Sequence, residues 1–217
     1  MGFKHIIFDC DGVLIDSEAI SMDIDVALLA ECGVVISVDE AHRRFVGLTF
    51  EAMISMIEAE HRMALPTDLG ERKDVRMMEA YRRSLQPVPG VAEALARIKQ
   101  PKSVGTNGPR SRAVEALQLT GLWGHFNGMT TFEDVKSGKP APDVYLLAAK
   151  RAGVAPADCV VVEDSATGVR AGVAAGCTVF GFVGTAHDQK AQAHLLTGLG
   201  AARIVIAMEE LPAHLSA

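Results

Sequence analysis

The sequence is poor in aromatic residues, which make up 5% of its 217 residues, and no hydrophobic run approaches the roughly 20 residues that a membrane-spanning helix needs. Its cysteines are widely separated and follow neither a zinc-binding nor a disulfide spacing. They are Cys10, Cys32, Cys159 and Cys177. Positive charge is not in excess either, because the formal net charge is −6, which argues against a broad nucleic-acid or acidic-membrane surface. We expect a soluble cytoplasmic protein that binds neither nucleic acid nor a membrane.

The apolar content, by contrast, is 49%, enough for one substantial core and a small second domain. Residues 17–86 show helical periodicity without a convincing strand, which predicts a small helical bundle whose packing includes Met53, Met56 and Met63. Residues 1–16 and 87–217 alternate apolar runs with helical segments, a pattern typical of βα units on a parallel sheet. The predicted fold class is therefore α/β: a Rossmann-like parallel-sheet catalytic core (1–16 and 87–217) with an inserted all-helical cap (17–86).

Each predicted strand is a short apolar run with turn-forming residues on either side. They lie at 5–8, 102–105, 129–132, 159–162, 177–182 and 203–206. In the cap, helices are predicted to begin at the capping residues Ser17, Asp39, Thr49 and near Asp68, with glycine stops at Gly33 and Gly47. In the core, helices are predicted through Leu95 and Ile98, at 109–119, at 142–152 and up to 175. Asp143 is expected to cap its helix, and His187 with Asp188 to form a surface turn.

Two acids, Asp9 and Asp11, follow the first predicted strand and precede Gly12. They fall at the carboxyl end of that strand, where open α/β sheets place their ligands. Such a pair can bind one hard cation, while one acid attacks as a nucleophile and the other carries a proton. Alone, the pattern D-x-D-G is also typical of acid-rich turns and calcium loops, so three further polar clusters decide its meaning.

The first of these clusters precedes the helix predicted from Pro109. It consists of Thr106, Asn107 and Gly108. A hydroxyl, a side-chain amide and free backbone N–H groups at a helix start suit a phosphoryl oxygen. Taken alone, Thr106 and Asn107 are better explained as capping residues of the helix that begins at Pro109.

The other two clusters contribute a lysine and two more acids. Lys139 lies in G-K-P-A-P-D, where the neighbouring prolines stiffen the loop and direct the ammonium group; the alternative is a solvated loop lysine. Glu163, Asp164 and Ser165 follow an apolar run, and Gly168 lets the next helix pack closely. Together the four clusters suit a phosphate group held beside Mg²⁺.

In this order, the motifs D-x-D-G-V, T-N, G-K-P-x-P-D and V-E-D-S resemble those of the haloacid dehalogenase-like superfamily. The resemblance covers essentially the whole chain, and the inserted block is similar to the helical cap of the β-phosphoglucomutase and phosphoglycolate-phosphatase branch. It implies that Asp9 is the nucleophile that forms an aspartyl-phosphate. Asp11 would be the general acid for the leaving oxygen and the general base for water, and Thr106 and Lys139 would hold the phosphoryl group.

The same resemblance implies a Mg²⁺ cofactor. The ion would lie between the Asp9 carboxylate, the Asp11 carbonyl and the Asp164 carboxylate. Glu163 would be either a further ligand or a support for the others. The dehalogenases that name the family need no Mg²⁺ and lack the second acid, so the presence of Asp11 favours phosphoryl transfer over carbon–halogen cleavage.

The expected substrate is a small-molecule phosphate ester. Asn107 and Gly108 are the expected substrate-binding residues of the core, and Arg44 is that of the cap. The segments around them look most like those of bacterial sugar-phosphate phosphatases, including ones that act on 6-phosphogluconate. We therefore expect a Mg²⁺-dependent phosphatase of a sugar or sugar-acid phosphate, acting as a monomer or a small homo-oligomer.

Three alternatives remain at this point. The first is a phosphoglycolate phosphatase. The second is a phosphomutase, although the chain departs from that pattern: no histidine follows Ser17 before Gly33, and Phe50 stands where mutases carry an arginine. The third is a non-catalytic phospho-acceptor resembling a response-regulator receiver. The 70-residue insertion and the second acid, Asp11, argue against it, because a receiver needs no lid.

Overall fold

The computed structural model describes residues 2–45 and 48–216. The chain forms two compact units, one containing the residues up to Asp16 and from Leu85 onward, and the other Ser17–Ser84. The helical unit therefore ends two residues before the predicted boundary, because Gln86 is bonded back to the first segment: its carbonyl accepts from the Asp16 amide at 3.0 Å. The assignment of these units to a catalytic core and a cap stays a prediction.

Six strands of the described residues form one parallel sheet. They are β1 His5–Phe8, β2 Lys102–Thr106, β3 Met129–Thr131, β4 Cys159–Glu163, β5 Thr178–Phe182 and β6 Arg203–Val205. The strand order is β3-β2-β1-β4-β5-β6, so the direction of winding reverses beside β1. In such sheets the ligand lies at this point, outside the carboxyl ends of the strands. The predicted α/β class with a parallel sheet is confirmed.

The helical unit contains four helices among its described residues. They are α1 Glu18–Glu31, α2 Val38–Phe45, α3 Phe50–His61 and α4 Leu69–Ser84. Their apolar faces form a common core that includes Leu28, Met53 and Ile57. The predicted cap at Thr49 is present, because its hydroxyl accepts a hydrogen bond from the Ala52 amide at 3.2 Å.

Two predictions in this unit are wrong. Asp39 does not cap α2, because it lies inside the helix and the Ser37 hydroxyl accepts from the Glu40 amide instead. Met56, expected in the bundle packing, is exposed because it lies outside the narrow buried face of α3. The glycine stop predicted at Gly47 lies outside the described residues.

Six further helices accompany the described part of the sheet. They are α5 Val91–Arg97, α6 Arg110–Leu119, α7 Asp143–Ala152, α8 Ala166–Ala174, α9 Gln189–Gly198 and α10 Leu211–Ser216. Asp143 is the first residue of α7 rather than its cap. Asp188, predicted in a surface turn, caps α9 by accepting from the Ala191 amide. The sequence did not predict α9, because Leu196 is the only buried residue within that helix.

Helix α8 packs closely on the sheet, as its glycines predict. A Cβ atom on Gly172 would lie 2.6 Å from a methyl group of Val179 on β5, so only glycine fits there. The core beneath α7 and α8 includes Tyr145, Val161 and Val169, all fully buried. Within residues 2–45 and 48–216, no helix is long and apolar enough to cross a membrane.

Candidate active site

Three neighbouring strands deliver polar side chains to one edge of the sheet. Asp9 directly follows β1, Thr106 ends β2 and Glu163 ends β4. Because these strands are parallel neighbours in the order β2-β1-β4, their carboxyl ends meet. The Asp9 amide donates to the Val162 carbonyl at 3.0 Å, which extends the β1–β4 pairing to the first acid. All three side chains are buried.

The ammonium group of Lys139 binds two of the acids. Its Nζ donates to Asp9 Oδ1 at 2.8 Å and to Glu163 Oε1 at 2.6 Å. The lysine side chain is only 3% exposed and lies over the Tyr145 ring, 4.8 Å from its centroid. Lys139 is therefore not a solvated loop lysine, since its charge is held among carboxylates in the interior.

Glu163 accepts four hydrogen bonds. Its Oε1 accepts from Lys139 and, at 2.8 Å, from the Tyr145 hydroxyl. Its Oε2 accepts from both the amide and the hydroxyl of Ser165 at 2.9 Å. These bonds use the lone pairs of both oxygens, so of the two predicted roles for Glu163 the geometry favours support over metal ligation.

Burial and charge shift the titration of this cluster. Burial raises the pKa of Asp9 to about 7, the charge of Glu163 adds to the rise, and Lys139 opposes it. Burial acts to lower the pKa of Lys139, but the carboxylates of Asp9 and Glu163 outweigh it and hold that pKa above its usual value. The lysine therefore stays protonated, and Asp9 is the acid whose ionised form needs further positive charge.

Asp164 lies against the backbone of Gly12. A Cβ on residue 12 would lie 1.9 Å from Asp164 Oδ2, and the φ of Gly12 is 74°, so both space and backbone conformation require glycine. The Thr185 hydroxyl donates to the Gly12 carbonyl at 2.9 Å and fixes this turn. Gly12, which ends the D-x-D-G motif, thus lets Asp164 lie beside the segment that carries Asp9 and Asp11.

The donor set fits Mg²⁺. Carboxylate oxygens of Asp9, Glu163 and Asp164 lie within 4.8 Å of one another. Mg²⁺ prefers oxygen ligands and is commonly held by one or two carboxylates. Since Glu163 is engaged by its four hydrogen bonds, Asp9 and Asp164 are the side chains that would hold the ion, together with the Asp11 carbonyl that the sequence resemblance implies.

Thr106 and Asp11 border one small space above Gly108. A Cβ on residue 108 would lie 3.4 Å from Thr106 Oγ1 and 3.6 Å from Asp11 Oδ2. The Gly108 amide donates to Thr106 Oγ1 at 2.9 Å, which leaves the hydroxyl hydrogen to donate to another acceptor. The structure thus brings these three predicted site residues together.

Asn107 clamps the lysine loop. Its Nδ2 donates to the Lys139 carbonyl at 3.0 Å, and its Oδ1 accepts from the Lys139 amide at 2.8 Å. A Cβ on Gly138 would lie 2.7 Å from Asn107 Oδ1, so a glycine precedes the lysine. Asn107 therefore positions Lys139, a role that the sequence did not predict, and its expected contact with substrate stays a prediction.

Arg44 belongs to the helical unit and pairs there with acids. It donates to Glu40 Oε1 at 3.0 Å, contacts the Glu60 carboxylate, and lies 4.9 Å from the Phe45 ring centroid. All of these contacts lie within the helical unit. Its expected contact with substrate also stays a prediction.

Sequence reasoning missed Tyr145 and the supporting role of Ser165. Tyr145 lies in the apolar stripe of α7, so its position predicts only a core residue. The available signal was its hydroxyl, because a buried tyrosine usually needs a hydrogen-bond partner. Ser165 also caps α8, since its hydroxyl accepts from the Gly168 amide at 3.0 Å.

Comparison with known proteins gives the family. A family model described as haloacid dehalogenase-like hydrolase matches residues 3–176. The 6-phosphogluconate phosphatase of Escherichia coli is 28% identical over 188 residues, 86% of this chain and 85% of that protein. The phosphorylated carbohydrates phosphatase of Thermotoga maritima is 32% identical over 193 residues, 87% and 89% of the two chains. A solved haloacid dehalogenase-like protein of unknown function from Agrobacterium tumefaciens has a TM-score of 0.90 at 36% identity, covering 99% of this chain and 98% of its own.

Proposed function

We propose, from the premise that this chain belongs to the haloacid dehalogenase-like hydrolase family, that it hydrolyses a small phosphorylated sugar or sugar acid through an aspartyl-phosphate. The observation that carries the proposal is the buried ammonium group of Lys139, bonded to Asp9 at 2.8 Å. A fixed cation beside a nucleophilic carboxylate offsets the charge repulsion that otherwise opposes attack on a phosphate ester.

In the first step, a carboxylate oxygen of Asp9 forms a bond to phosphorus while the ester P–O bond breaks. Asp11 donates its carboxyl proton to the departing oxygen, so the leaving group departs as a neutral alcohol. Lys139 neutralises charge on the phosphoryl group, and the Thr106 hydroxyl donates to one of its oxygens.

In the second step, water attacks the phosphorus atom of the aspartyl-phosphate. Asp11, now a carboxylate, accepts the proton from water, and the bond between phosphorus and the Asp9 oxygen breaks. The products are inorganic phosphate and the free Asp9 carboxylate. Asp11 thus returns to its protonated form, ready to protonate the next leaving group.

Mg²⁺, held by Asp9, Asp164 and the Asp11 carbonyl, would supply positive charge that favours the ionised form of Asp9 and neutralises phosphoryl oxygens. Such charge is needed, because burial raises the pKa of Asp9 to about 7. Glu163 supports this arrangement by holding Lys139 in place at 2.6 Å.

Sugar and sugar-acid phosphates are the proposed substrates, with 6-phosphogluconate as the first candidate. The relatives from Escherichia coli and Thermotoga maritima are named for 6-phosphogluconate and phosphorylated carbohydrates. Water is the proposed acceptor rather than a second sugar hydroxyl, because no histidine lies between Ser17 and Gly33 and Phe50 stands where mutases carry an arginine.

The test is phosphate release from a panel of sugar, sugar-acid and short-chain phosphates, with Mg²⁺ and with EDTA. We expect Mg²⁺-dependent release by the wild-type protein, concentrated on a few carbohydrate phosphates. Asp9→Asn is the control, because it removes the nucleophile at nearly constant volume. Release by Asp9→Asn at the wild-type rate would refute the nucleophile assignment. Isomerisation of glucose 1-phosphate without net release would identify a mutase instead.

A further inference from the structure

Two arginines on the first turn of α6 have different surroundings. Arg110 binds Asp134 and directs its guanidinium to the Met129 carbonyl on β3. Arg112 is two residues later and half-buried, and its side chain extends towards Gly108 instead. A Cβ on Gly108 would lie 3.6 Å from Arg112 Nη2.

The same point above Gly108 lies 3.6 Å from Asp11 Oδ2 and 3.4 Å from Thr106 Oγ1. A guanidinium, a carboxylate and a hydroxyl therefore border one space that a methyl group would fill.

We propose that Arg112 is a positioning residue that holds the Asp11 carboxyl group in the orientation needed to protonate the leaving oxygen. This inference rests on the proposed function, in which Asp11 is the general acid. A guanidinium suits the task because its donors have a rigid planar geometry and remain charged in proteins. It restrains one oxygen of Asp11 and leaves the other for the leaving group.

The proposal predicts a dependence on the leaving group. An alkoxide is a poor leaving group and needs the proton from Asp11, whereas 4-nitrophenolate departs readily without one. The kcat/KM value reports the steps up to the first irreversible one, which is transfer of the phosphoryl group to Asp9. Loss of Arg112 should therefore reduce kcat/KM for an alkyl phosphate much more than for 4-nitrophenyl phosphate.

The experiment compares wild-type protein with Arg112→Gln, Arg112→Lys and the matched control Arg110→Gln, using glycerol phosphate and 4-nitrophenyl phosphate. We expect Arg112→Gln to lower kcat/KM for glycerol phosphate about 10- to 100-fold more than for the aryl ester. Arg112→Lys should recover part of the loss, and Arg110→Gln should leave the ratio of the two substrates unchanged. Melting temperatures establish that each variant is folded.

The possible results separate the inference from the proposed function. Equal losses on both esters, or no loss on either, would overturn the positioning role while wild-type turnover still supports a phosphatase. An increase in KM alone would mean that Arg112 binds substrate rather than Asp11, and would also overturn it. No release of phosphate by the wild-type protein, either from these two esters or from the carbohydrate phosphates of the panel, would overturn the proposed function and this inference with it.

Discussion

At the scale of single residues, Lys139 supplies the positive charge beside a cluster of three acids, Asp9, Glu163 and Asp164, at the ends of the strands. It bonds to Asp9 and Glu163, and Asp164 lies within 4.8 Å of both. One buried ammonium group does not neutralise three carboxylates, which is why the pKa of Asp9 is raised to about 7 by burial and Glu163. The unbalanced negative charge supports the proposal that Mg²⁺ binds here, and it is expected to destabilise the metal-free protein.

Asp9→Asn is expected to stabilise the metal-free protein at pH 8. The pKa of Asp9 is raised from its ordinary value of 3.8 to about 7, so between these values the folded state keeps a proton that the unfolded chain has released. Wild-type stability therefore falls as pH rises through this window, and the variant, which has no carboxyl group there, escapes the fall. Thermal unfolding in EDTA at pH 5 and pH 8 measures the difference.

The increase in melting temperature of Asp9→Asn over the wild-type protein should be larger at pH 8 than at pH 5. Asp23→Asn is a suitable control, because it makes the same change of side chain at an exposed position of the helical unit. An Asp9→Asn protein that is less stable than wild type at pH 8 would mean that the bond to Lys139 outweighs the burial cost.

At the scale of elements, the start of α8 restricts the position of the Glu163 carboxylate, which bonds to Lys139. A Cβ on Gly168 would lie 1.6 Å from Glu163 Oε1, so the first turn of the helix closes directly over that carboxylate. Ser165 joins the two by bonding to Glu163 and capping α8. The helix and the lysine loop are thereby coupled through one buried side chain.

Gly168→Ala should therefore impair activity although residue 168 carries no reactive group. The added methyl group must displace Glu163, which breaks its bond to Lys139, and we expect a loss of about tenfold or more in kcat. Overpacking should also cost about 1–3 kcal/mol of stability. Phosphate-release kinetics and urea unfolding give both values.

Gly198→Ala is the matched control, since Gly198 also lies in a helix and a Cβ there meets no atom within 4 Å. It should leave activity unchanged. Wild-type kcat in Gly168→Ala would show that the position of Glu163 has little influence on Lys139.

Asp134 joins three elements at the β3 edge of the sheet. Its carboxylate accepts from Arg110 on α6, from Arg151 on α7 at 3.0 Å, and from the Thr131 amide at 2.9 Å. The hydrogen bond from Arg151 is the main cause that lowers the pKa of Asp134 to about 2. The ionised form therefore stabilises the folded state above the ordinary pKa of 3.8, and this contribution is lost as pH falls towards 2.

Asp134→Asn should lower the free energy of unfolding by roughly 1 kcal/mol at pH 7, a small value because both arginines are partly exposed and screened. In urea unfolding, the difference from wild type should be constant from pH 8 to pH 5 and shrink below about pH 4. A difference that persists unchanged at pH 3 would indicate lost packing rather than lost charge.

At the scale of the whole molecule, the parallel sheet and the helical insertion follow from the sequence. Strands such as β1 and β4 are continuous apolar runs bounded by polar motifs, which periodicity detects well. Because the carboxyl ends of parallel strands meet, the sequence also predicts that Asp9, Thr106 and Glu163 converge. The structure brings them to the same edge of the sheet.

What the sequence does not predict depends on contacts between distant segments. Asn107 holds a loop 32 residues away, and Tyr145 bonds to Glu163 18 residues away. Neither role has a local signature, because an amide after a strand and a tyrosine in an apolar stripe each have ordinary structural explanations. Helix α9 is missed for the opposite reason, since it buries too little surface to produce a periodic pattern.

The most direct test of the account is to trap the phosphoryl group on the chain. Wild-type protein is mixed with its best substrate and Mg²⁺, quenched in acid within a turnover, digested, and examined by mass spectrometry. The account predicts a phosphoryl adduct on the peptide that contains Asp9, and none at that position in Asp9→Asn. Phosphate release without any adduct, or an adduct on another residue, would contradict it.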